Sequence, residues 1–559
     1  MSRTLFWYIF ADLFRVFMMA SGALAGIMSF GGLLRPLTQQ GLDAAQVGKM
    51  LTYLSPAMSA YSFPIAALFA TSVIYGRLGA DNEIVAARAG GISHLALAAP
   101  AIVLGLIVSL ISMLFLWYIV PTYTLKVEQV IYSNVAKLVA GKIERNHQFK
   151  TDAATIYAQS ATVLPTDPAR PDEQRLMLVG PMIVSYEKQT KPDDGAKLQV
   201  PTEFYMARSA TVYIAPRADD EGMEFSVVLD QGVRFPRRPT GGLQGGIAEA
   251  TFGPMPVDSP IKENTKFMVV GALNRLYERP WRSRKVRALL DEFIAEDQQV
   301  TYLTGLAERL AGGDHTASVD AAGERLLIAA DGCGVKVEKR ELVITARPGT
   351  GAAARVRVEQ RGQTVLTADG PELRVGAVPL ADERHMNLTV RMAEAALTVG
   401  GEQVRKREWA RVATVPMPPD VRAIERNRTQ PDRYATADGR PSTNQRTLAR
   451  ELIVLRHNIQ SEVHGRAAFA VSCFALVLVG CALGLMFKSG NFLSAFAVSF
   501  VPALLCITLI IAGQRTAQNV PLAFWKHPDT LNLGLGLIWS GNAAVFALGV
   551  ALLWRLQRQ

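Results

Sequence analysis

Hydrophobic residues are concentrated in two groups of long runs, one near each end of the chain. Each run consists mostly of Ala, Leu, Ile, Val, Phe and Gly. Because a helix of about 20 apolar residues crosses the roughly 30 Å hydrocarbon layer of a bilayer, the pattern predicts six membrane-spanning helices. Their predicted bounds are Val16–Leu34, Leu51–Tyr75, Leu95–Ile119, Ala467–Phe487, Phe492–Ala512 and Leu531–Trp554.

The polar middle of the chain contains strand-like and helix-like patterns. Short runs rich in β-branched and aromatic residues occur from residue 155 to residue 229, separated by Gly, Pro and Asp, as in a sandwich or jelly roll. Residues 281–312 have a strongly charged helical pattern, and a second β-rich block follows at about 318–415. Ser442 and Gln445 form a capping-box pattern that predicts a helix leading towards the fourth span.

These patterns predict an α-helical membrane protein in which three spans lie on either side of a large β-rich insertion. The predicted domains are, in chain order, three spans at 1–119, a β-jelly-roll-like domain at 120–280, an additional helical and β insert at 281–415, a linker and return helix at 416–465, and three spans at 466–559.

Lys and Arg residues in the short loops predict the orientation, because cytoplasmic loops carry an excess of both. With the N-terminus inside, the cytoplasmic set is Arg3, Arg15, Arg77, Arg88, Lys488, Arg555 and Arg558. The opposite short loops hold Arg35, Lys49, Arg515 and Lys526. Both termini are therefore predicted to be cytoplasmic, and the insertion lies outside. Because most of the basic residues are then on the outside, the net charge of +10 does not argue for nucleic-acid binding.

Three cations, Arg35, Arg466 and Arg515, lie at the predicted outer ends of spans, where the charge rule disfavours them. One interpretation is that they are snorkelling anchors at the membrane surface. The other is that they bind the headgroup of an anionic lipid. The sequence leaves both interpretations open.

No motif for catalysis, nucleotide binding or metal binding occurs in the chain. It contains no phosphate-binding loop of the Gly-x4-Gly-Lys-Ser/Thr type and no nucleophile-elbow pattern. His457 and His464 are seven residues apart and do not form a zinc signature. Three of the four cysteines lie in predicted spans, which leaves Cys333 without a disulfide partner. The sequence thus predicts no enzyme and no cofactor, and any transport work needs energy from another subunit.

The loop between the second and third spans, Tyr75 to Ser93, has the pattern of a short helix. Asp81 is predicted to cap its N-terminus, Glu83 lies in the first turn, and Gly90 is predicted to end it in a left-handed conformation. A capped and charged helix in a membrane loop suggests a docking site for a cytosolic partner. The alternative is an ordinary inside loop that carries Arg77 and Arg88.

The run Arg77-Leu-Gly-Ala-Asp-Asn-Glu-Ile-Val-Ala-Ala-Arg-Ala-Gly-Gly-Ile-Ser resembles the hallmark of the lipopolysaccharide-export permeases of the LptF/LptG type. Other similar features are the proline-broken second span, Pro121 after the third span, and two β segments. The matching positions are Pro56, Pro64, Pro121, Tyr205–Ala210, Val228–Val233, Arg466, Pro521 and Trp525. The resemblance covers about residues 1–260 and 440–559.

The resemblance implies a permease subunit that pairs with a second permease of the same family and binds a cytosolic ABC ATPase dimer. Such a pair extracts lipopolysaccharide from the bacterial inner membrane and passes it to a periplasmic bridge of jelly-roll proteins. Residues 77–92 would be the coupling helix, with Glu83, Arg77, Asp81 and Arg88 as the ATPase-coupling residues. Arg35 would bind lipid phosphates, and Arg466 and Arg515 are further headgroup candidates.

Two other functions remain possible from the sequence. The chain could export another amphiphile, such as a lipoprotein or a different glycolipid, or it could be a membrane-anchored scaffold or sensor without transport activity. The block at 281–415 departs from the family, whose periplasmic domain is usually about half as large. The sequence does not reveal the role of this block, which of the two permease types the chain is, or whether it pairs with itself or with a sister permease.

Overall fold

Within the described part of the chain, six helices near its two ends are long and apolar enough to cross a membrane, which confirms the predicted fold class. The computed structural model describes residues 3–40, 44–132, 135–150, 154–165, 167–170, 172–190, 197–216, 222–236, 247–258, 264–312, 315–321, 324–338, 340–346, 353–360, 363–380, 382, 384–399, 401–432, 443–487, 492–521 and 530–558. The contacts within the chain form two units, residues 1–278 together with 453–559, and residues 279–452.

The first unit begins with helices and continues into a β-sheet. Its first helices are α1 (Arg3–Gln40), α2 (Ala44–Ala80), α3 (Glu83–Ala89), α4 (His94–Leu114), α5 (Val120–Tyr132) and α6 (Val135–Asn146). The sheet is antiparallel and comprises β1 (Gln148–Lys150), β2 (Ala154–Tyr157), β3 (Ser160–Leu164), β4 (Gln174–Val179), β5 (Met182–Thr190), β6 (Lys197–Pro216), β7 (Gly222–Pro236) and β8 (Ile247–Asp258). A 3₁₀ turn (Thr265–Phe267) and α7 (Val270–Glu278) follow.

The second unit contains one long helix and a nine-stranded antiparallel sheet. The helix is α8 (Arg284–Ala311), and the strands are β9 (Thr316–Ala321), β10 (Glu324–Ala329), β11 (Cys333–Glu338), β12 (Glu341–Ala346), β13 (Ala354–Gln360), β14 (Gln363–Gly370), β15 (Glu372–Pro379), β16 (His385–Val399) and β17 (Glu402–Pro416). Part of the predicted linker is ordered, as α9 (Pro419–Ala423) and a 3₁₀ helix (Ile424–Thr429). Burial of Val421 and an ion pair of 3.0 Å from Arg428 to Asp291 hold it against α8.

The last three helices are α10 (Thr443–Met486), α11 (Phe492–Gln518) and α12 (Thr530–Arg558). Helix α10 contains the fourth span and the predicted return helix without a break. Ser442, the predicted cap of this helix, lies outside the described residues. The predicted domain boundaries at 281 and 415 stay predictions, whereas the contacts divide the chain at 279 and 452.

The two sheets repeat one pairing pattern. In the first, the path of hydrogen-bonded neighbours is β1-β2-β5-β6-β4-β3, with β7 on the other edge of β6. In the second, β11-β12-β15-β16-β14-β13 follow the same path, with β17 on the other edge of β16. A preceding helix packs on each core, α6 on the first and α8 on the second. The sheets differ beyond this common set, because the first adds β8 beside β7 and the second adds β10 and β9 beside β13.

Strand β6 contains two mainly apolar segments, Phe204–Ala207 and Ala210–Ile214, that two polar residues separate. The intervening Arg208 and Ser209 are polar and lie where the paired strand changes from β5 to β4. The carbonyl of Arg208 accepts a backbone hydrogen bond of 3.0 Å from Gly180 at this change. The strand therefore continues because its backbone remains paired, even though the apolar alternation stops.

Helices α2 and α10 form the centre of the membrane bundle. Within their most apolar windows, 67% and 72% of residues are buried, whereas each of the other four spanning helices has 28% buried. The central helices approach closely, since a Cβ atom on Gly484 of α10 would lie 2.7 Å from the Cβ of Tyr75 on α2. Small residues at such crossings are how membrane helices gain packing contacts that the surrounding lipid does not provide.

The third span does not stop at Pro121 as the sequence pattern predicts, because α5 continues through this proline. Helix α4 passes into a π-helical segment, Phe115–Ile119, and then into α5. The segment contains a hydrogen bond from the Val120 N–H to the Phe115 carbonyl. A proline removes one helical hydrogen bond and its ring crowds the carbonyl four residues earlier. The wider π turn next to Pro121 relieves this crowding, so the helix extends beyond the predicted end.

Candidate functional site

A cleft of about 450 Å³ lies among α1, α2, the π-helical segment, α10, α11 and the 3₁₀ turn at Thr265–Phe267. All of the residues that line the cleft belong to the first unit. Most of the wall is apolar, and its apolar side chains are Met28, Ile65, Leu116, Phe267, Phe469, Ile507, Ile510 and Ile511. The polar lining consists of Tyr61, Lys266, Glu462, Arg466 and Gln514. The cleft therefore offers an amphiphile both an apolar wall and a polar rim.

Arg466 is the most constrained charge at this rim. Its side chain is only 5% exposed, and its Nε donates to Glu462 Oε1, one helical turn earlier on α10, over 2.9 Å. Nη1 donates to the Met268 carbonyl over 2.8 Å. Nη2 donates to the carbonyls of Thr265 and Lys266 over 3.2 and 2.8 Å. The guanidinium thus uses its planar fork to hold the 3₁₀ turn against α10.

The other two predicted headgroup residues lie on spanning helices. Arg515 is in the last turn of α11, is exposed, and has no ion pair within the described part of the chain. Arg35 belongs to α1, but its side chain lies outside the described residues. The structure adds a cation that the prediction did not include, because Lys266 lines the cleft and is exposed. Neither of the two exposed cations forms a described ion pair.

The predicted docking helix is present as α3, but its two ends are defined by residues other than those predicted. Asn82 is the N-cap, in a left-handed conformation (φ 58°) and without a side-chain capping bond. Asp81 does not cap it, because its N–H bonds the Arg77 carbonyl over 2.9 Å and so still follows α2. At the other end, Gly90 has φ −79°, and Gly91 (φ +80°) is the left-handed residue.

The C-terminal end of α3 explains much of the Gly-Gly-Ile-Ser sequence. The Gly91 N–H donates to the Arg88 carbonyl and the Ile92 N–H donates to the Ala87 carbonyl, over 2.8 and 3.2 Å. A left-handed residue just after the helix is what such a termination requires, and glycine adopts this conformation without strain. Ser93 then caps α4, since its hydroxyl accepts a hydrogen bond of 3.2 Å from the Ala96 N–H.

One face of α3 is anchored and the other is exposed. Ile84 is 8% exposed and belongs to the bundle core, against which Ala87 and Ile92 also pack. Glu83, Val85 and Arg88 are exposed, and Val85 has 54% of its surface accessible. Neither Glu83 nor Arg88 forms an ion pair within the described part of the chain. The helix therefore presents two opposite charges and an apolar side chain on a fixed support.

Arg77 and Asp81 differ in their surroundings. The Arg77 Nη2 donates to Asp12 Oδ2 of α1 over 2.5 Å, and Asp12 also lies 3.6 Å from Arg15. Arg77 therefore ties the end of α2 to the first span, although its side chain remains 45% exposed. The Asp81 side chain is exposed. Of the four predicted coupling residues, Glu83 and Arg88 are on α3 itself, and Arg77 and Asp81 are at its base.

The described residues contain no cluster of His, Cys, Asp and Glu that could hold a metal ion. His457 and His464 have separate partners, because His457 Nδ1 lies 3.0 Å from the Ala517 carbonyl and His464 Nδ1 accepts from the Trp539 indole over 3.3 Å. Each of the two histidines thus connects α10 to another spanning helix, His457 to α11 and His464 to α12. Both histidines therefore help to position the spanning helices.

Lys266, Gln514 and Tyr61 are rim residues that the sequence reasoning missed. Lys266 is in a polar stretch about 200 residues before Arg466, and no spacing rule relates the two positions. Tyr61 lies inside an apolar span, where it is indistinguishable from a packing residue. Only the tertiary contact between the 3₁₀ turn and α10 brings this rim together.

Comparison with known proteins gives one family. The family model described as lipopolysaccharide export system permease LptF/LptG matches residues 7–176 and 397–555, which together are more than half of the chain. The intervening stretch includes most of both sheets and has no match to this model. No curated protein matches the chain.

Proposed function

Because the chain belongs to the lipopolysaccharide export system permease LptF/LptG family, we propose that it is the transmembrane subunit of an exporter that takes lipopolysaccharide out of the bacterial inner membrane. The observation that carries the proposal is the lateral cleft, whose apolar wall ends in a polar and cationic rim. Acyl chains would contact the wall formed by α1, α2, the π-helical segment, α10 and α11. Headgroup phosphates would contact the polar rim and the outer ends of α1 and α11 at Arg35 and Arg515.

The energetics require a second component. Each CH₂ group that leaves hydrocarbon for water costs about 0.8 kcal/mol, so extraction of a lipid with several acyl chains does not proceed without external energy. The chain contains no nucleotide-binding motif. We therefore propose that a cytosolic ABC ATPase dimer supplies the energy and docks on α3, with Glu83 and Arg88 as charged contacts and Val85 as an apolar contact.

The orientation follows from the same proposal. Both termini and α3 lie in the cytoplasm, and the two β-sheets lie in the periplasm, where the first sheet passes the lipid to a jelly-roll bridge. A second permease of the same family, either a sister protein or another copy of this chain, would complete the cavity beside α1 and α11. The charge bias of the short loops supports this orientation.

Purification in mild detergent followed by mass spectrometry of bound protein and lipid tests the function. We expect lipopolysaccharide, an ATPase and a second permease to co-purify. A bound lipoprotein in place of lipopolysaccharide would instead support a permease for another amphiphile. Recovery of the chain with neither an ATPase nor a lipid would contradict transport and favour a membrane-anchored scaffold or sensor.

Cysteine labelling tests the orientation. In a variant without native cysteines, Asp230→Cys should react with an impermeant maleimide in spheroplasts. Glu83→Cys should react only after the membrane is permeabilised. Both positions are exposed, so a lack of reaction reflects the side of the membrane and not burial. Labelling of Glu83→Cys in intact spheroplasts would overturn the proposed orientation and the docking role of α3 together.

A further inference from the structure

The 3₁₀ turn Thr265–Phe267 contributes two neighbouring residues of different chemistry to the cleft. Phe267 is half-buried and apolar, and Lys266 is exposed and cationic. Thr265, before them, is buried. The turn begins at Asn264, whose side-chain oxygen accepts a hydrogen bond of 3.1 Å from the Lys266 N–H. The backbone N–H of Lys266 is therefore already hydrogen-bonded within the turn, and its side chain is exposed.

The same segment is fixed to the membrane bundle by Arg466. The guanidinium donates to the carbonyl of Lys266 itself, over 2.8 Å, and to the carbonyls of Thr265 and Met268 on either side. The Nε of the guanidinium donates to Glu462 Oε1 over 2.9 Å. With four protein acceptors and 5% exposure, Arg466 has little capacity left to bind a headgroup. Its arrangement is that of a residue that positions its neighbours.

Lys266 has the complementary properties. Its ammonium forms no ion pair with the described residues, and the carboxylate of Glu462, the acidic group that lines the cleft, is engaged by Arg466. Gln514, the other polar neighbour on α11, is neutral. Lys266 is thus a cation at the rim whose charge is not neutralised by the cleft that it lines. A strongly hydrated ammonium with three donors is well suited to a phosphate group.

We propose that Lys266 binds an anionic group, a phosphate on the headgroup of the amphiphile, and that Arg466 positions Lys266 through the backbone of residues 265–268. The proposal rests on the proposed function and assigns the headgroup contact of this cleft to a residue outside the spanning helices. The acyl part of the same ligand contacts Phe267 and the apolar wall beneath it. Adjacent residues of the same turn therefore contact the phosphate and the acyl chains of the ligand.

The experiment uses the full-length protein in detergent and measures the affinity for lipid A, which carries two phosphates, and for the same lipid after removal of its phosphates. Lys266→Gln should weaken binding of lipid A about tenfold or more, as expected for the loss of a hydrogen bond to a charged group. It should leave the dephosphorylated lipid unaffected. Lys266→Arg should retain most of the affinity, because a cation with several donors remains. Lys336→Gln, a change at an exposed lysine on β11, is the matched control and should have no effect.

Arg466→Lys separates positioning from direct binding. It keeps the charge but cannot reach four acceptors, so it should weaken binding of lipid A and also increase amide hydrogen exchange at residues 264–268. Lys266→Gln should weaken binding without changing that exchange. Direct headgroup binding by Arg466 predicts instead that Arg466→Lys lowers affinity while the turn stays protected, and this result would contradict the positioning role.

The remaining outcomes distinguish the possible failures. Equal affinity of Lys266→Gln and the wild-type protein for lipid A would overturn this inference and leave the proposed function standing. Displacement of lipid A by inorganic phosphate alone would show that Lys266 recognises a free phosphate, which overturns the headgroup assignment. A wild-type protein that binds neither form of lipid A would overturn the proposed function, and this inference with it.

Discussion

Two pairs of charged residues, one at each end of the membrane bundle, lie in contrasting surroundings. At the end that carries the cleft, Arg466 and Glu462 are buried, and the guanidinium has four acceptors within the protein. At the end that carries α3, Glu83 and Arg88 are exposed and form no ion pair within the described part of the chain. One pair of charges holds the fold together, and the other two are available to a second molecule.

This difference follows from the cost of burying charge. An ion taken out of water loses several kcal/mol of solvation even after the protein relaxes, and only good geometry and further hydrogen bonds offset the loss. Arg466 meets this requirement within its own chain. Glu83 and Arg88 remain hydrated in the free protein and would lose water only on contact with a partner. A sequence rule that assigns function to every cation near a span does not distinguish these two cases.

The largest effect is expected from Arg466→Met. This change leaves the Glu462 carboxylate buried without a partner and removes the donor to three carbonyls of residues 265–268. Breaking one half of a buried pair costs about 3–5 kcal/mol. We expect a clear fall in the thermal unfolding midpoint of the protein in detergent.

A double variant provides the control for this effect. Glu462→Gln combined with Arg466→Met removes the uncompensated charge, so part of the lost stability should return. If Arg466→Met alone unfolds at the wild-type temperature, the buried pair does not stabilise this end of the bundle and the contrast between the two ends fails.

Glu83→Lys should have an effect of similar size on binding and almost none on the free protein. Loss of one partner of a charge pair that becomes buried at an interface costs about 2–5 kcal/mol. We expect binding of the proposed ATPase to be lost, while the melting temperature of the isolated permease stays unchanged. Glu144→Lys reverses the charge of an exposed glutamate on α6 and should retain the ATPase. Normal ATPase binding and transport by Glu83→Lys would refute the docking role of this residue.

The sequence predicts the membrane helices well because their apolar runs have to match the thickness of a bilayer. It predicts the existence of α3 from its charged pattern, but not the residues at its ends. Asp81 has the right chemistry for a cap, yet its own N–H still bonds the Arg77 carbonyl of α2, and Asn82 becomes the cap. Gly90 and Gly91 are chemically identical, and only the exact end of the helix decides which of them is left-handed.

Other features could not be predicted because they depend on contacts that are distant in sequence. The rim of the cleft needs Lys266 beside Arg466, about 200 residues later. The repeated pairing of β1–β7 and β11–β17 also has no counterpart in a visible sequence repeat. In both sheets, backbone pairing and alternating burial are compatible with many sequences, so the topology can be the same while the residues differ. The insert at 281–415 looks unfamiliar in sequence, although its strands pair as those of the first sheet do.

A smaller effect is expected from Ile84→Ala, which loosens the support of α3. Replacing a buried isoleucine by alanine costs about 2 kcal/mol or more, and the lower end of the range applies because Ile84 lies at the edge of the core. We expect faster amide exchange at residues 84–92 and weaker ATPase binding. Val85→Ala, at a position that is 54% exposed, should weaken ATPase binding without changing amide exchange. Identical exchange in Ile84→Ala and the wild-type protein would show that α3 does not depend on this anchor.

The smallest effect is expected at Arg77, whose pair with Asp12 is partly exposed. Surface ion pairs contribute about 0–1 kcal/mol, so Arg77→Gln should lower the melting temperature only slightly. A double-mutant cycle with Asp12→Asn distinguishes the two roles open to Arg77. If Arg77 only ties α2 to α1, its replacement has no further effect on ATPase affinity once Asp12 is gone. If Arg77 also contacts the ATPase, its replacement lowers that affinity equally in both backgrounds. The contact with Asp12 leads us to expect the first result. Additive losses of ATPase affinity would instead show that Arg77 is part of the docking surface.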